Sequence, residues 1–178
     1  MSQTQISNRY AKALFELAQE ENSLYPVYIS LQEIGSFLKK NEDFKKFIHN
    51  PLFSIEERTR IIKRTFNDKV PKLVSKFLLY LNLKNRLNIL GDIAESIDEL
   101  FLEKNNQMRV ALETPFSLQD DQKQNIQRKL NRKYQKEISL EGQTKPELLG
   151  GFRLLAAGTL YDGSIKSQLE QFRQKVSV

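Results

Sequence analysis

The stretch Phe101-Leu-Glu-Lys-Asn-Asn-Gln-Met-Arg-Val-Ala-Leu-Glu113 is where the hydrophobic period of this chain changes. On its N-terminal side, apolar residues recur at the spacing of one helix face. Within it, Met108, Val110 and Leu112 alternate with polar or small residues, which is the two-residue repeat of a half-buried strand. The polar residues 103–107 are typical of a domain boundary. We therefore expect a mainly α protein, with an N-terminal six-helix bundle at residues 1–104, a linker at 105–107 and a small α/β domain at 108–178.

The helices before this boundary are predicted from apolar stripes and capping residues. Asn41 is expected to cap a short third helix, and Ser54 with Glu57 forms a capping box at the start of the fourth. Ser2 with Gln5 is another possible capping box, at the start of the first helix. The stripe of that first helix consists of Ile6, Tyr10, Ala13, Leu14, Leu17 and Ala18. A sixth helix is predicted over residues 87–101.

The fifth helix, which Pro71 opens, has almost no polar face. Its apolar residues are Leu73, Val74, Phe77, Leu78, Leu79, Tyr80, Leu81 and Leu83. A helix that is apolar all round must be covered on every side. Either its neighbours cover it as a central core helix, or part of it is a docking surface for a helix from another protein. The sequence leaves both alternatives open.

Beyond the boundary, strands and helices are predicted to alternate. We expect Ser117 to cap a helix that runs to about Tyr134, and Ile138 and Leu140 to lie in a second strand that Gly142 closes. After Gly150-Gly151, a strand is predicted at 152–156, a turn at Ala157-Gly158 and a short strand at 159–161. Ser164 is expected to cap the last helix, whose apolar residues are Ile165, Leu169, Phe172 and Val176.

Composition excludes several classes of function. The 178 residues include no Cys and a single His. Without Cys, disulfides and thiolate metal sites are ruled out. With one His, most zinc sites lack ligands, and Ser-His or Cys-His catalytic pairs have at most one imidazole available as the base. The lone His49 is best explained as a surface or capping residue at a helix end. No apolar run reaches the roughly 18 to 20 residues of a membrane span. We expect a chain that is neither inserted nor secreted, and no cofactor.

The net charge of +6 suits nucleic acid, an anionic membrane surface or an acidic partner. The strongest support for nucleic acid is the basic character of the helix that follows the first strand. Its cations, with one shortly after it, are Lys123, Arg128, Lys129, Arg132, Lys133 and Lys136. Because the chain has no recognisable nucleic-acid reader motif, a solvated face or an acidic protein partner is favoured, and nucleic-acid binding is the alternative function.

Two enzymatic interpretations are weak. Gly150-Gly151 lacks the Gly-Lys-Ser/Thr of a phosphate-binding loop and leads into a strand. A hydrolase that used Asp162 and Ser164 would lack a base to activate its nucleophile. Turn formation and helix capping explain both segments.

Three segments resemble the delta subunit family of the rotary ATP synthase, which includes the mitochondrial oligomycin-sensitivity-conferral protein. The first is Arg9-Tyr-Ala-Lys-Ala-Leu-Phe15 and the second is Asn85-Arg-Leu-Asn-Ile-Leu90. The third and most specific is Glu147-Leu-Leu-Gly-Gly-Phe-Arg-Leu-Leu-Ala-Ala-Gly-Thr-Leu-Tyr-Asp-Gly-Ser-Ile-Lys-Ser-Gln-Leu169. It departs from the family in a less polar hairpin tip and in Lys166-Ser167-Gln168 after the Asp-Gly-Ser turn.

The resemblance implies a non-catalytic stator subunit of the peripheral stalk, between the catalytic head and the membrane sector. Its N-terminal bundle would hold the N-terminal helix of an alpha subunit in a groove between the first and fifth helices. Its C-terminal domain would receive the ends of b-type stalk helices. The implied groove residues are Tyr10, Ala13, Leu14, Leu17, Phe77, Leu79 and Leu83, and the implied stalk-contacting residues are Phe152, Leu155, Asp162 and Leu169.

The same resemblance implies that the chain reaches a membrane only as part of the complex. Since no transit peptide precedes the first helix, the cytoplasmic face of a bacterial cell membrane is the expected location. The stromal side of a plastid thylakoid is the alternative.

Overall fold

The computed structural model describes residues 3–50, 52–66, 69–156 and 158–176. Within these ranges the chain is mainly helical, with a small four-stranded sheet in its C-terminal part, as predicted. The helices are α1 (Gln3–Glu20), α2 (Leu24–Lys40), α3 (Glu42–His49), α4 (Ile55–Phe66), α5 (Lys72–Leu83), α6 (Leu90–Lys104), α7 (Asp120–Tyr134) and α8 (Ile165–Val176). The strands are β1 (Gln107–Thr114), β2 (Glu137–Thr144), β3 (Arg153–Ala156) and β4 (Thr159–Asp162). Short 3₁₀ turns form at Leu87–Ile89 and Pro146–Leu148.

The chain divides into two compact units, Met1–Phe101 and Leu102–Val178. The core of the first unit is formed by the apolar stripes of its helices. On α5, Val74, Leu78 and Leu81 are fully buried, whereas Tyr80 and Leu83 are exposed. The helix is therefore a core helix that also leaves apolar surface uncovered. Its buried neighbours in the core include Ala11, Leu14, Ala18, Val27, Leu31, Ile34, Ile62, Leu90, Ile93 and Ile97.

Two of the predicted helix caps in the first unit are confirmed. The backbone N–H of Phe44 donates to Oδ1 of Asn41 at 3.0 Å. At the start of α4, the N–H of Glu57 donates to Ser54 Oγ at 3.1 Å and the N–H of Ser54 donates to Glu57 Oε2 at 2.8 Å, which completes the capping box. The predicted Ser2–Gln5 box lies outside the described residues. The predicted sixth helix begins as a 3₁₀ turn, and its α-helical part starts at Leu90.

The sheet of the second unit has the strand order β2-β1-β3-β4. Strands β1 and β2 are parallel and are connected through α7, while β1 with β3 and β3 with β4 are antiparallel. One face of the sheet packs against α7. The core of this unit consists of Val110, Leu112, Leu130, Ile138, Leu154 and Ala156.

Two boundary predictions in the second unit were wrong. Ser117 does not cap α7, because the helix begins at Asp120 and Gln119 forms a capping box with Gln122. Gly142 does not end β2, which continues to Thr144 because β1 supplies parallel partners as far as Thr114. Strands β3 and β4 differ from their predicted bounds by a single residue each. Residue 157 of the predicted hairpin turn lies outside the described ranges.

Candidate partner-binding surfaces

An apolar groove with a volume of about 330 Å³ lies between α1 and α5. It brings together five of the predicted residues, Tyr10, Ala13, Leu14, Leu17 and Phe77. The rest of its lining was not predicted and consists of Ile6, Arg9, Tyr80 and Arg86.

The groove has a buried floor and an exposed wall. Leu14 is only 1% exposed and belongs to the core, whereas Leu17 and Tyr80 are each 47% exposed. The ring of Tyr10 stands between those of Phe77 and Tyr80, with centroid separations of 6.3 Å to each. Contiguous exposed apolar surface of this kind is a common feature of protein-binding sites.

Cations surround the aromatic end of this groove. Arg86 Nη1 donates to the Tyr10 hydroxyl at 2.8 Å, and its guanidinium lies 5.4 Å from the centroid of the Tyr10 ring. Lys84 Nζ lies 5.7 Å from the centroid of the Tyr80 ring. The groove is therefore apolar along its length and positively charged at this end, which suits an amphipathic helix that carries acidic residues.

The structure places Leu79 and Leu83 outside the groove lining. Leu79 is half-buried and packs against the core, and Leu83 is 63% exposed at the end of α5. Residues two apart on a helix point in directions about 200° apart, so Leu79 cannot share the face of Phe77. Tyr80, three residues after Phe77, takes that position.

In the second unit, Phe152 lines a cavity of about 360 Å³ between α7 and the sheet. Lysines lie at this otherwise apolar cavity, and Lys133 Nζ is 4.7 Å from the centroid of the Tyr161 ring. The other lining residues are Leu112, Ile126, Lys129, Leu130 and Leu154.

Leu155 lies on the opposite face of the sheet from this cavity. Its neighbour Leu154 is buried against α7, so alternation along β3 turns Leu155 outward. Its cross-strand partner in β4 is Leu160, and the two side chains are 47% and 56% exposed.

Leu169 belongs to an exposed apolar stripe on α8. Ile165, Leu169 and Phe172 follow each other at helical spacing and are 44%, 55% and 66% exposed. These apolar side chains, left in solvent on an amphipathic helix, form exposed apolar surface of the kind found at protein interaction sites.

Asp162 connects β4 to the start of α8. Its carboxylate accepts hydrogen bonds from the Ser167 hydroxyl at 2.7 Å, the backbone N–H of Ser164 at 2.9 Å and Arg153 Nε at 3.2 Å. The Ser167 hydroxyl, followed by Ser164 and the Arg153 guanidinium, holds the pKa of Asp162 well below its usual range. The carboxylate therefore stays charged and is largely occupied within the chain.

The geometry gives no support to a hydrolase at this turn. Ser164 is 0% exposed, and its Oγ accepts the backbone N–H of Ser167 at 3.2 Å as the predicted helix cap. A nucleophile must be accessible and must have a base within reach, and Ser164 is inaccessible.

The Gly150-Gly151 pair is explained by close backbone approach. Gly151 has φ +74°, and a Cβ there would collide with the carbonyl of Gly163. A Cβ at Gly150 would collide with the side chain of Ile165, whose N–H donates to the Gly150 carbonyl at 3.0 Å. The two glycines thus let the start of α8 pack against the segment before β3.

Two features of the described ranges bear on other functions. No helix there is both long enough and apolar enough to cross a bilayer. No group of three or more His, Asp and Glu side chains in the same ranges could hold a metal ion.

Comparison with known proteins assigns the family. A family model for the ATP synthase delta (OSCP) subunit matches residues 6–176. The ATP synthase subunit delta of Clostridioides difficile (strain 630) is 30% identical over 173 residues, which cover 97% of this chain and 96% of the relative. That of Clostridium kluyveri is 27% identical over 169 residues, covering 95% of this chain and 93% of the relative. A chain in the cryo-EM structure of the Toxoplasma gondii mitochondrial ATP synthase hexamer shares the fold, with a TM-score of 0.77, 22% identity and 97% coverage of both chains. This chain therefore belongs to the ATP synthase delta (OSCP) subunit family.

Proposed function

We propose that this chain, a peripheral-stalk subunit of ATP synthase, is a non-catalytic connector with one binding surface for the catalytic head and another for the stalk. While the central rotor turns, the head must be held still. This task requires firm binding at both ends and no chemistry. The observation that carries the proposal is the exposed apolar groove between α1 and α5 in a chain of this family.

The proposed occupant of the groove is the N-terminal helix of an ATP synthase alpha subunit. Helix-in-groove recognition uses an amphipathic helix whose apolar face enters an apolar groove. Leu17, Tyr10 and Phe77 would supply the apolar contacts, and the cations near Tyr10 and Tyr80 would select acidic residues. In this proposal α1 to α6 act together as a six-helix bundle, and residues 1–104 form the head-binding domain.

A peptide that copies the N-terminal helix of the alpha subunit from the same complex tests this assignment. Titrated into the full chain in a calorimeter, it should bind, and Leu17→Asp should weaken binding at least about tenfold, roughly 1.4 kcal/mol. Leu83→Asp is the matched control, because Leu83 is equally apolar and 63% exposed but lies outside the groove lining. Failure of the peptide to bind at high micromolar concentration would refute the proposed occupant.

The second surface is proposed to bind the C-terminal helices of b-type stalk subunits, through residues 108–178. Its support is the exposed stripe of α8, which contains Leu169, and the exposed pair Leu155 and Leu160 on the sheet. Phe152, 48% exposed, adds apolar surface at its cavity. The role proposed for Asp162 is to hold the start of α8 in place.

A peptide from the C-terminal helix of the b-type subunit tests this second surface. Leu169→Asp should weaken its binding to the full chain at least about tenfold. Gln168→Asp introduces the same charge at the neighbouring exposed position and should leave binding unchanged. Equal loss in both variants would mean that charge on α8, and not the apolar stripe, controls the interaction.

The proposed location is the cytoplasmic face of a bacterial cell membrane, where the chain would be held through the complex. The bacterial origin of the Clostridioides and Clostridium relatives supports it over the thylakoid alternative. The family match gives the nucleic-acid alternative no support.

A further inference from the structure

One buried arginine of the first unit has no acidic partner among the described residues. Arg58, on α4, is 5% exposed. Its guanidinium donates to two neutral acceptors, from Nη1 to Asn85 Oδ1 at 2.7 Å and from Nη2 to the Asn50 carbonyl at 2.8 Å. Neither acceptor is a carboxylate, and no ion pair in the described part of the chain involves this guanidinium. Arg58 Nε is buried and has no hydrogen-bond partner in the described ranges.

This arrangement is energetically unusual. A buried charge costs free energy unless an opposite charge and hydrogen bonds compensate it. Asn50 is the C-cap of α3, so the negative end of that helix offsets part of the positive charge of Arg58. The Asn85 amide offsets a smaller part. What is missing is a full negative charge near the guanidinium.

The missing group has a place to bind, because Arg58 lines a cleft of about 450 Å³. Ser54, Asn85 and Asn88 supply its polar lining. Since Asn85 uses Oδ1 to accept from Arg58, its amide N–H groups remain as donors. The Ser54 hydroxyl accepts the N–H of Glu57 and keeps its own proton to donate. The remaining lining residues are Ile48, Phe53, Ile55 and Leu87.

The neighbouring carboxylate does not fill this role. Glu57 lies one residue before Arg58, but its carboxylate accepts the backbone N–H of Ser54 at 2.8 Å and does not line the cleft. The described polar groups that line the cleft thus include a cation and the donors of Ser54, Asn85 and Asn88, and this combination favours an anion with several acceptor oxygens.

We propose that Arg58 and Asn85 form the base of an oxyanion site in this cleft, which binds one phosphate or carboxylate group. A free inorganic phosphate and the side-chain carboxylate of a partner protein share this chemistry. The site lies on α4 and the turn after α5, and its lining residues differ from those of the α1–α5 groove. It is therefore separate from the head-binding surface proposed above.

The test is thermal unfolding of the full chain in sodium phosphate and, separately, in sodium acetate, with ionic strength held constant by sodium chloride. A ligand that binds only the folded state raises Tm as its concentration passes Kd. We expect a saturable rise of about 3 °C or more with at least one of the two anions. A response to phosphate alone assigns the site to free phosphate, and a response to acetate assigns it to a carboxylate. No response to either anion overturns the proposal.

Asn85→Asp provides the decisive variant. It replaces the neutral acceptor 2.7 Å from Arg58 Nη1 by a carboxylate of the same shape, and Asp, like Asn, tolerates the φ of +52° at this position. Its Tm without added anion should rise, and its response to phosphate and acetate should disappear. Lys76→Gln changes the net charge by the same amount at an exposed position of α5 and should keep the full response. An undiminished response in Asn85→Asp would overturn the proposal.

A second measurement needs no variant. In a chain labelled with ¹⁵N, the Nε–H signals of arginine side chains can be followed during the phosphate and acetate titrations. One of them should shift saturably with the same midpoint as the Tm rise. If no Nε–H signal moves while Tm rises, the anion binds elsewhere and the proposal is wrong.

Discussion

Arg153 and Asp162 face each other across the β3–β4 hairpin, and Arg153 Nε donates to Asp162 Oδ2 at 3.2 Å. Arg153 Nη1 also donates to Glu113 Oε2 in β1 at 3.1 Å. The same Asp162 carboxylate accepts the N–H of Ser164 and the hydroxyl of Ser167. The Arg153–Asp162 pair thus links β1, β3 and β4 to the first turn of α8. It thereby helps to position the apolar stripe on that helix.

This network predicts a loss of stability in acid. Because hydrogen bonds from Ser167 and Ser164, and then the Arg153 ion pair, lower the pKa of Asp162 in the folded state, the unfolded chain takes up the proton more readily. The stability that the charged Asp162 contributes is therefore fully present above its unfolded pKa, near 3.9. This stability is lost progressively as the pH falls from there toward the lower pKa of the folded state. Calorimetric unfolding between about pH 6 and pH 2 should show this loss.

Asp162→Asn removes the titrating group and should flatten the dependence of Tm on pH in the acid range, while it lowers Tm at neutral pH. Asp120→Asn is the matched control, because the Asp120 side chain is 93% exposed. If the two variants had the same pH profile, the network at Asp162 would not control acid stability.

Alanine substitutions of glycines in the second unit should distinguish the destabilisation caused by a steric collision from that caused by a positive φ. Gly151→Ala combines a positive φ with a collision against the Gly163 carbonyl and should cost about 3 kcal/mol or more in the free energy of unfolding. Gly158→Ala has a similar φ of +73° but nothing within 4 Å, so it should cost about 1 to 2 kcal/mol. Chemical denaturation of each variant measures these differences.

Gly142→Ala completes the series as the control. Gly142 lies in β2 with an ordinary φ, and a Cβ added there would meet nothing within 4 Å. Because glycine in a strand interior is less stable than alanine, this variant should be neutral or more stable by about 0.5 kcal/mol. A cost equal to that of Gly151→Ala would refute the close-contact explanation.

The fold was largely predictable because its signals are local. The change of period near Met108 separates the helical part from the sheet, and short polar side chains such as Asn41 and Ser54 mark helix starts by direct contact with nearby N–H groups. The start of α7 was missed because a glutamine cap, Gln119, is an uncommon choice. The end of β2 depends on its partner strand, which no local pattern at Gly142 reveals.

The apolar period of the sequence indicates the groove-facing residues on only one of the two helices. The first helix has a single apolar stripe, so its period alone marks Tyr10, Leu14 and Leu17 as one face. The fifth helix is apolar all round, and its period therefore cannot say whether Leu79 or Tyr80 faces the groove. Contacts between residues far apart in sequence, such as Arg86 with Tyr10, leave no local signal.

Ser54 caps its helix as predicted and Ser117 does not, so their substitution by alanine should have different effects on stability. Ser54→Ala removes the acceptor for the N–H of Glu57 at the start of α4 and should cost about 1 kcal/mol in the free energy of unfolding. Ser117→Ala should cost less than about 0.5 kcal/mol, since Gln119 caps α7 and Ser117 is exposed. Equal costs in urea denaturation would contradict the capping geometry.

The floor and the wall of the α1–α5 groove should respond differently to truncation. Leu14 is 1% exposed and packed in the core, so Leu14→Ala should cost about 2 to 5 kcal/mol in the free energy of unfolding. Leu17 is 47% exposed, and Leu17→Ala should change stability by less than about 0.5 kcal/mol. Leu17→Ala should instead weaken binding of the alpha-subunit peptide, by about 1 to 2 kcal/mol, because the truncation removes apolar contact surface. Urea denaturation and calorimetric titration of the same two proteins measure the two effects. A Leu17→Ala variant that lost stability but bound the peptide normally would show that this side chain belongs to the core and not to the binding surface.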